Sequence, residues 1–192
     1  MTPKVVRLED RPTDAQLVER ARAGARDAKK TLFLRYVSLA SAIAFRCTGS
    51  ETEVEDIVQD SFIAAFSGLG RLDQPQAFRA WLASIVTRTA IASLRRRRLL
   101  RRLGLLRAEP IRIEALTSPS AAPDVVAELR AVYALIDELP AAERVTLLLR
   151  RFEQLPLEQI AEQTGSSLAT VKRRLARAEQ RLAKSLSPRG EP

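Results

Sequence analysis

Histidine is absent from this chain of 192 residues, and cysteine occurs only once, as Cys47. Without histidine there is no imidazole for acid–base catalysis or metal binding, and one thiol can form neither a zinc site nor an internal disulfide. The sequence also offers no Gly-rich phosphate-binding loop. We therefore expect a protein that is not an enzyme, with no metal and no cofactor, in which Cys47 is a buried structural thiol.

Glycine, aromatic residues and long apolar runs are also scarce. The chain has 7 Gly and 5% aromatic residues, although 46% of its residues are hydrophobic. No apolar run approaches the roughly 18–20 residues of a membrane span, and the N-terminus lacks the apolar core of a signal peptide. Apolar residues recur at helical spacing through most of the chain. These features predict a cytoplasmic, all-α protein.

The domain organisation is indicated by a stretch without periodicity. Residues 108–123 are rich in Pro, Ser and Ala and are typical of an extended linker. We therefore expect two small helical domains joined by a flexible linker. The predicted boundaries are a disordered tail at 1–12, a first domain at 13–104, a linker at 105–123, a second domain at 124–187 and a tail at 188–192.

One segment holds the whole positive excess of +9. Residues 76–113 contain 10 basic side chains and 1 acidic one, whereas the stretches before and after are each neutral. Within that segment Arg95–Arg98 are consecutive, and we expect all four to face an anionic partner. Concentrated charge of this kind is typical of a protein that binds a polyanion. A solvated helix end or a membrane-binding surface are the alternatives, but a helix dipole needs only about one cation.

Three capping pairs predict helix starts in the first domain: Thr13 with Gln16, Ser50 with Glu53, and Asp73 with Gln76.

Acidic side chains form a different kind of surface, upstream of the arginine run. The helix that begins at Ser50 is acidic, and Asp56, Gln59 and Asp60 extend beyond its first turn onto the predicted solvent side. Acids in the first turn also suit a helix dipole. Because DNA repels an acidic face, we expect this one to contact a basic protein partner.

The last two predicted helices have the spacing of a helix-turn-helix motif. Ala161 is small where the helices cross, Gly165 suits the turn, and the second helix runs from Leu168 to about Leu186. Residues 166–186 carry six basic residues and one acid, whereas residues 114–165 carry four basic and nine acidic ones. This polarisation favours a DNA-binding helix; an ordinary helical hairpin with a basic surface is the alternative.

Taken in order, these motifs resemble a bacterial RNA polymerase sigma factor of the extracytoplasmic-function (ECF) group of the sigma-70 family. The resemblance covers about residues 13–100 and 124–186. The segments that carry it are Glu55–Phe62, Phe78–Leu82, Arg95–Arg98, Leu139–Pro140, Ile160–Glu162, Gly165 and Thr170–Leu175. It implies a transcription initiation factor that binds core RNA polymerase, directs it to promoter DNA, helps to open that DNA, and is controlled by an anti-sigma factor.

The resemblance also implies three sets of site residues. The residues implied to bind the polymerase core are Glu55, Asp56, Ile57, Val58, Gln59, Asp60 and Phe62. Those implied to melt the promoter and to contact its downstream element are Arg71, Phe78, Arg79, Trp81, Arg88, Thr89, Ser93, Arg95, Arg96, Arg97 and Arg98, together with the loop at residues 68–74. Those implied to contact the upstream element are Ser167, Thr170, Lys172, Arg173, Arg174 and Arg177. Thr89 and Ser93 stand where members of the family often carry Asn and Asp.

Two other functions compete with this interpretation. A stand-alone helix-turn-helix regulator would bind duplex DNA without polymerase. That function leaves no role for the acidic helix or for the predicted helix that contains Trp81. An RNA-binding protein could use the arginines, but aromatic residues are few and no RNA-binding module is recognisable. We therefore expect core RNA polymerase, promoter DNA and an anti-sigma factor as partners, and no membrane or small-molecule substrate.

Overall fold

The computed structural model describes residues 12–106, 122–151 and 153–186, which form eight α-helices and two short 3₁₀ turns. The expected all-α fold class is confirmed. Residues 1–11 of the expected N-terminal tail (1–12), residues 107–121 of the expected linker (105–123) and all of the expected C-terminal tail (188–192) lie outside the described residues. We call residues 12–106 the N-terminal module and residues 122–186 the C-terminal module.

Four helices make up the N-terminal module. Their bounds are α1 Asp14–Arg22, α2 Arg26–Thr48, α3 Glu51–Gly68 and α4 Phe78–Arg102, with 3₁₀ turns at Leu69–Arg71 and Pro75–Ala77 between α3 and α4. The predicted capping box of Thr13 and Gln16 is present at the start of α1. Gly49 ends α2 in the left-handed conformation, with φ of 66°, which favours glycine because it lacks a Cβ.

Ser50 is at the predicted start of α3, but neither of the other two predicted pairs forms its side-chain cap. Ser50 Oγ lies 2.8 Å from Thr52 Oγ1 instead of capping α3, and Glu53 is paired elsewhere. A 3₁₀ turn that begins at Pro75 replaces the cap expected at Asp73. A tertiary contact therefore overrides the capping signal at Ser50, whereas a local 3₁₀ turn replaces it at Asp73.

The C-terminal module is formed by α5 Pro123–Glu138, α6 Ala141–Arg151, α7 Leu157–Thr164 and α8 Leu168–Leu186. Gly165 adopts the left-handed conformation, with φ of 61°, and turns the chain between α7 and α8. Val171 of α8 is buried with Ile160 of α7. The structure therefore has a helix-turn-helix arrangement at the predicted residues.

A continuous apolar core joins the two modules. Phe78, Leu82 and Val86 on α4 are fully buried, and Val145 and Ile160 from the C-terminal module belong to the same cluster. Helix α6 is buried on nearly all sides between α4, α7 and α8, as expected for a central helix. The modules that the sequence analysis expects to fold separately are thus packed against each other.

Candidate nucleic-acid interface

Helix α3 presents an acidic outer face. Glu55, Asp56, Gln59 and Asp60 are exposed along it, as the sequence analysis expects. Beside them the apolar side chains of Phe33, Leu34 and Ile63 are also exposed. An acidic face flanked by exposed apolar groups suits a basic protein surface that also has apolar contacts to offer.

The inner face of α3 corrects part of the expected polymerase-binding set. Ile57, Val58 and Phe62 are buried in the core of the N-terminal module. The ring of Phe62 packs between Phe33, at a centroid distance of 4.8 Å, and Phe66, at 5.6 Å. Because helical periodicity turns these three side chains inward, they hold α3 in place and leave its polar face exposed.

The arginine run on α4 is divided between solvent and the protein interior. Arg95 and Arg96 are exposed and Arg98 is partly exposed, but Arg97 is buried. Arg97 Nη1 donates to Glu53 Oε1 at 2.6 Å. The expectation that all four arginines face an anion is therefore wrong for Arg97, since an acid of α3 neutralises it. Three cations of the run remain available.

A cavity of about 520 Å³ lies where the 68–74 loop meets α4. Arg71, Asp73, Trp81 and Arg88 line it on the N-terminal module, and Glu162 of α7 lines it on the other side. The indole of Trp81 is partly exposed, so it offers an aromatic face beside cations, as in sites that stack single-stranded bases. Within the N-terminal module, the cavity brings together four side chains, those of Arg71, Asp73, Trp81 and Arg88, which lie up to 17 positions apart in sequence.

Four other residues expected at the downstream element do not line this cavity. Arg79 is exposed, and Thr89 and Ser93 are partly buried on α4. Phe78 is fully buried, with its ring 5.5 Å from that of Tyr36 and 6.1 Å from that of Trp81. Phe78 is therefore a core residue that supports Trp81, which corrects the expectation that it contacts DNA.

The start of α8 combines helix capping with a cationic surface. The backbone N–H of Thr170 donates to Ser167 Oγ at 3.2 Å, and Arg173 Nη2 donates to Thr170 Oγ1 at 3.3 Å. Lys172, Arg173 and Arg177 are exposed. Ser167 thus fixes the first turn, and the exposed cations project from a rigid helix, the arrangement used by helices that enter the major groove.

Arg174 differs from the other cations of α8 because it is partly buried. Its Nη1 donates to Ser166 Oγ at 2.7 Å in the turn. Burial, followed by repulsion from Arg95, lowers the pKa of Arg174. Arg174 on α8 and Arg95 on α4 therefore lie near each other, so the two cationic elements face a common region in this arrangement.

A buried polar cluster fastens the two modules together. We call Arg144, Asp137, Arg101 and the carbonyl group of Thr48 the intermodule cluster. Arg144 is 2% exposed, and its Nη2 donates to the oxygen of Thr48 at 2.7 Å across the boundary, while its Nη1 donates to Asp137. Arg101 of α4 donates to the other oxygen of Asp137 at 2.7 Å. A charge buried this deeply needs such partners.

Cys47 lies at the same boundary. A second cavity, of about 390 Å³, separates α2 from α6 and α7, and Cys47 lines it together with Leu148 and Leu149. The thiol is 1% exposed. The expectation of a buried structural cysteine is confirmed.

The intermodule cluster should respond to acid through Asp137. Burial raises the pKa of this carboxyl, but hydrogen bonds and charge from Arg101 and Arg144 outweigh it and hold the pKa below its ordinary value of 3.8. The ionised form therefore stabilises the folded chain above pH 3.8, and this stabilisation is lost as the pH falls through the lower folded-state pKa. We expect small-angle scattering to show the modules loosening in that acid range. The Asp137→Asn variant should lack this acid transition, and an unchanged transition would contradict the assignment.

Comparison with known proteins identifies the family. Residues 32–99 match the family model for Sigma-70 region 2, and residues 129–182 match the model for Sigma-70, region 4. The chain is 32% identical to the RNA polymerase sigma-H factor of Pseudomonas aeruginosa over 184 residues, covering 91% of this chain and 94% of that protein. This chain belongs to the ECF group of the sigma-70 family. It is a transcription initiation factor that works with core RNA polymerase at promoter DNA.

Further relatives agree with this assignment. This sigma factor is 34% identical to the RNA polymerase sigma factor SigV of Bacillus subtilis, over 71% of this chain and 77% of that protein. The solved structure of CnrH in complex with the cytosolic domain of CnrY is 28% identical, with a TM-score of 0.56 over 92% of this chain and 99% of that chain. The fold also matches RpoE from Bartonella quintana, solved with the anti-sigma factor NepR, with 22% identity, a TM-score of 0.59, and coverage of 84% of this chain and 98% of that chain.

These matches decide between the functions that the sequence analysis left open. Because region 2 and region 4 both match, the chain is not a stand-alone helix-turn-helix regulator or an RNA-binding module. Sigma factors are generally non-catalytic transcription factors. None of the helices in the described ranges combines the length and apolar character needed to cross a bilayer.

Sequence reasoning missed the residues that join the modules. Arg144 and Asp137 carry no signal of their roles, because their partners lie 96 and 36 positions away. Arg97 did carry a signal. It follows the buried Leu94 by three positions and the buried Ala90 by seven, which places it on the inward stripe of α4.

Proposed function

We propose that the sigma factor divides its work among three separate surfaces. The acidic face of α3 binds core polymerase through Asp56, Gln59 and Asp60. The cavity beside Trp81 takes bases of the melted downstream element, and the cationic face of α8 reads the upstream element. The observation that carries this division is the separation of charge: acids are exposed on α3, whereas cations are exposed at the end of α4 and on α8.

The downstream site supports strand opening by two kinds of contact. Trp81 supplies a stacking face, and stacking of a base on an aromatic ring contributes about 1–3 kcal/mol. Arg88 is exposed on the wall of the same cavity and can hold the phosphate group of the stacked nucleotide. Arg95, Arg96 and Arg98 continue this cationic path along α4. Together they stabilise a separated strand, while polymerase carries out the chemistry and this chain remains non-catalytic.

Reading both promoter elements requires the modules to part. In the structure Glu162 of α7 closes one side of the Trp81 cavity, and Gln163 Oε1 lies 3.5 Å from Thr87 Oγ1 of α4. A carboxylate at this position repels an incoming phosphate group. We therefore propose that core polymerase in the cytoplasm stabilises an open arrangement. The similar sigma factor RpoE was solved in complex with an anti-sigma factor, and we propose that such a partner of this chain would compete with polymerase for its module surfaces.

The test is transcription in vitro with core polymerase on a library of promoters with randomised upstream and downstream elements. The wild-type chain should produce specific starts that core polymerase alone does not, and the enriched sequences define its promoter.

The Asp56→Asn, Asp60→Asn double variant should bind core polymerase about tenfold more weakly, because two exposed ion pairs contribute roughly 1.4 kcal/mol together. Salt should reduce this difference.

The matched control removes two exposed acids from the C-terminal module, Asp124→Asn with Glu128→Gln. This control should bind core polymerase as the wild type does. Equal weakening by both double variants would show that only net charge matters and would refute the α3 surface. An absence of promoter-specific starts with the wild-type chain would refute the proposed function as a whole.

A further inference from the structure

Helix α1 contacts the loop that borders the Trp81 cavity, although it lies before residues 32–99, which match region 2. The contact is made by Arg22, in the last turn of α1. Arg22 Nε donates to the carbonyl oxygen of Leu69 at 3.1 Å, and Arg22 Nη2 donates to the carbonyl oxygen of Leu72. One guanidinium group therefore binds the backbone at both ends of the Leu69–Leu72 turn.

Arg22 is itself held in place. Its third nitrogen, Nη1, donates to Glu19 Oε1 at 2.7 Å, one turn earlier on α1. Leu17, Val18 and Ala21 are buried in the core and fix α1 there. The guanidinium thus extends from a fixed helix, and its planar fork has little freedom to lose when it binds the loop.

The loop offers few other fixed points in its outer part. The side chains of Leu69 and Leu72 are buried, but Gly70, Arg71, Asp73 and Gln74 are exposed. Leu72 N–H donates to the Leu69 carbonyl oxygen at 3.1 Å, so this oxygen accepts from both the turn and Arg22. Arg71 and Asp73, which line the Trp81 cavity, flank the carbonyl group of Leu72 that Arg22 holds.

We propose that Arg22 is a positioning residue for recognition of the downstream promoter element. It touches no nucleic acid; it fixes the backbone on which Arg71 and Asp73 meet an unstacked base beside Trp81. This proposal rests on the proposed function of that cavity. A preformed loop binds its base without first losing conformational freedom, so discrimination between bases depends on this latch, the contacts of Arg22 with the carbonyl groups of Leu69 and Leu72.

The decisive variant is Arg22→Lys, because lysine keeps the charge but cannot donate to two carbonyl groups and to Glu19 from a planar fork. Arg20→Lys is the matched control, since Arg20 lies on the same helix and its exposed side chain pairs with Asp27. Both variants are assayed as full chains, free and with core polymerase. The probes are a single-stranded downstream element, selected with the wild-type chain, and its single-base variants.

We expect Arg22→Lys to lose about tenfold in discrimination between the selected base and the wrong base. Its affinity for core polymerase and the salt dependence of DNA binding should remain those of the wild type. Hydrogen exchange at the amides of residues 70–74 should be at least about fivefold faster in the free Arg22→Lys chain. Arg20→Lys should match the wild type in every measurement.

Three results would overturn the proposal. The first is unchanged discrimination in Arg22→Lys, and the second is unchanged exchange in the loop. The third is a salt slope lower by about one, which would make Arg22 a phosphate contact. Failure of the Arg22 proposal can be told apart from failure of the proposed function. A wild-type chain that does not discriminate between bases refutes the proposed function, whereas hydrogen exchange tests the contacts of Arg22 with the loop in the absence of DNA.

Discussion

Replacing Arg144 with alanine is expected to separate the two modules and to cost about 3–5 kcal/mol of unfolding free energy. Arg144 is 2% exposed and links Asp137 of its own module to the Thr48 carbonyl group of the other. Removing it leaves a buried carbonyl group without its donor and leaves Asp137 with Arg101 alone. Chemical denaturation measures the free energy, and small-angle scattering should show a larger radius of gyration.

Arg151→Ala is the control for this experiment. Arg151 is on the same helix, but it is exposed and pairs with the partly exposed Glu179 at 2.5 Å. An exposed pair of this kind contributes at most about 1 kcal/mol. A compact Arg144→Ala chain with wild-type stability would show that the apolar core alone holds the modules together.

The second large effect is expected at the arginine run of α4. Neutralising Arg95, Arg96 and Arg98 together should reduce the slope of log K against log salt by about two to three, since each phosphate contact contributes roughly 0.7–0.9. The loss of affinity should be similar for all promoters, because phosphate groups carry no sequence information. The measurement is binding of the polymerase complex to promoter DNA over a range of salt concentrations.

Arg97→Ala should behave differently from its three neighbours. Arg97 is buried and bound to Glu53 at 2.6 Å, so its loss should destabilise the N-terminal module by up to about 3 kcal/mol and leave the salt slope unchanged. Arg173→Ala is a second comparison, because an exposed cation at the start of α8 should alter the choice among upstream sequences. An equal loss of slope for Arg97→Ala would place Arg97 on the DNA and contradict the structure.

The sequence predicted the features that depend on neighbours along the chain. Periodic apolar residues predicted the all-α fold class, and the acidic residues of α3 were predicted to be exposed. Gly165 marked the turn between α7 and α8, since it adopts a left-handed conformation at the predicted position. The resemblance gave the family correctly because its motifs are short, local and ordered.

The features that the sequence did not predict depend on distant partners. Glu53 satisfied the spacing of a capping box with Ser50, yet it pairs with Arg97, 44 positions away, because a buried guanidinium needs a carboxylate more than an exposed helix end needs a cap. Packing of α6 and α7 against α4 could not be predicted either, since periodicity shows that a face is buried but not which element covers it.

The position of Cys47 makes the unmodified chain its own reporter of rearrangement. Burial raises the pKa of this thiol to about 12, and the opposing effects of Arg144 and Arg46 are smaller, so the group is an unreactive, protonated thiol at neutral pH. Leu148 and Leu149 form part of the wall around it, and the open arrangement that we propose would remove them. The rate of alkylation of one natural sulfur atom therefore measures how often the molecule opens, and it can be followed by mass spectrometry as polymerase is added.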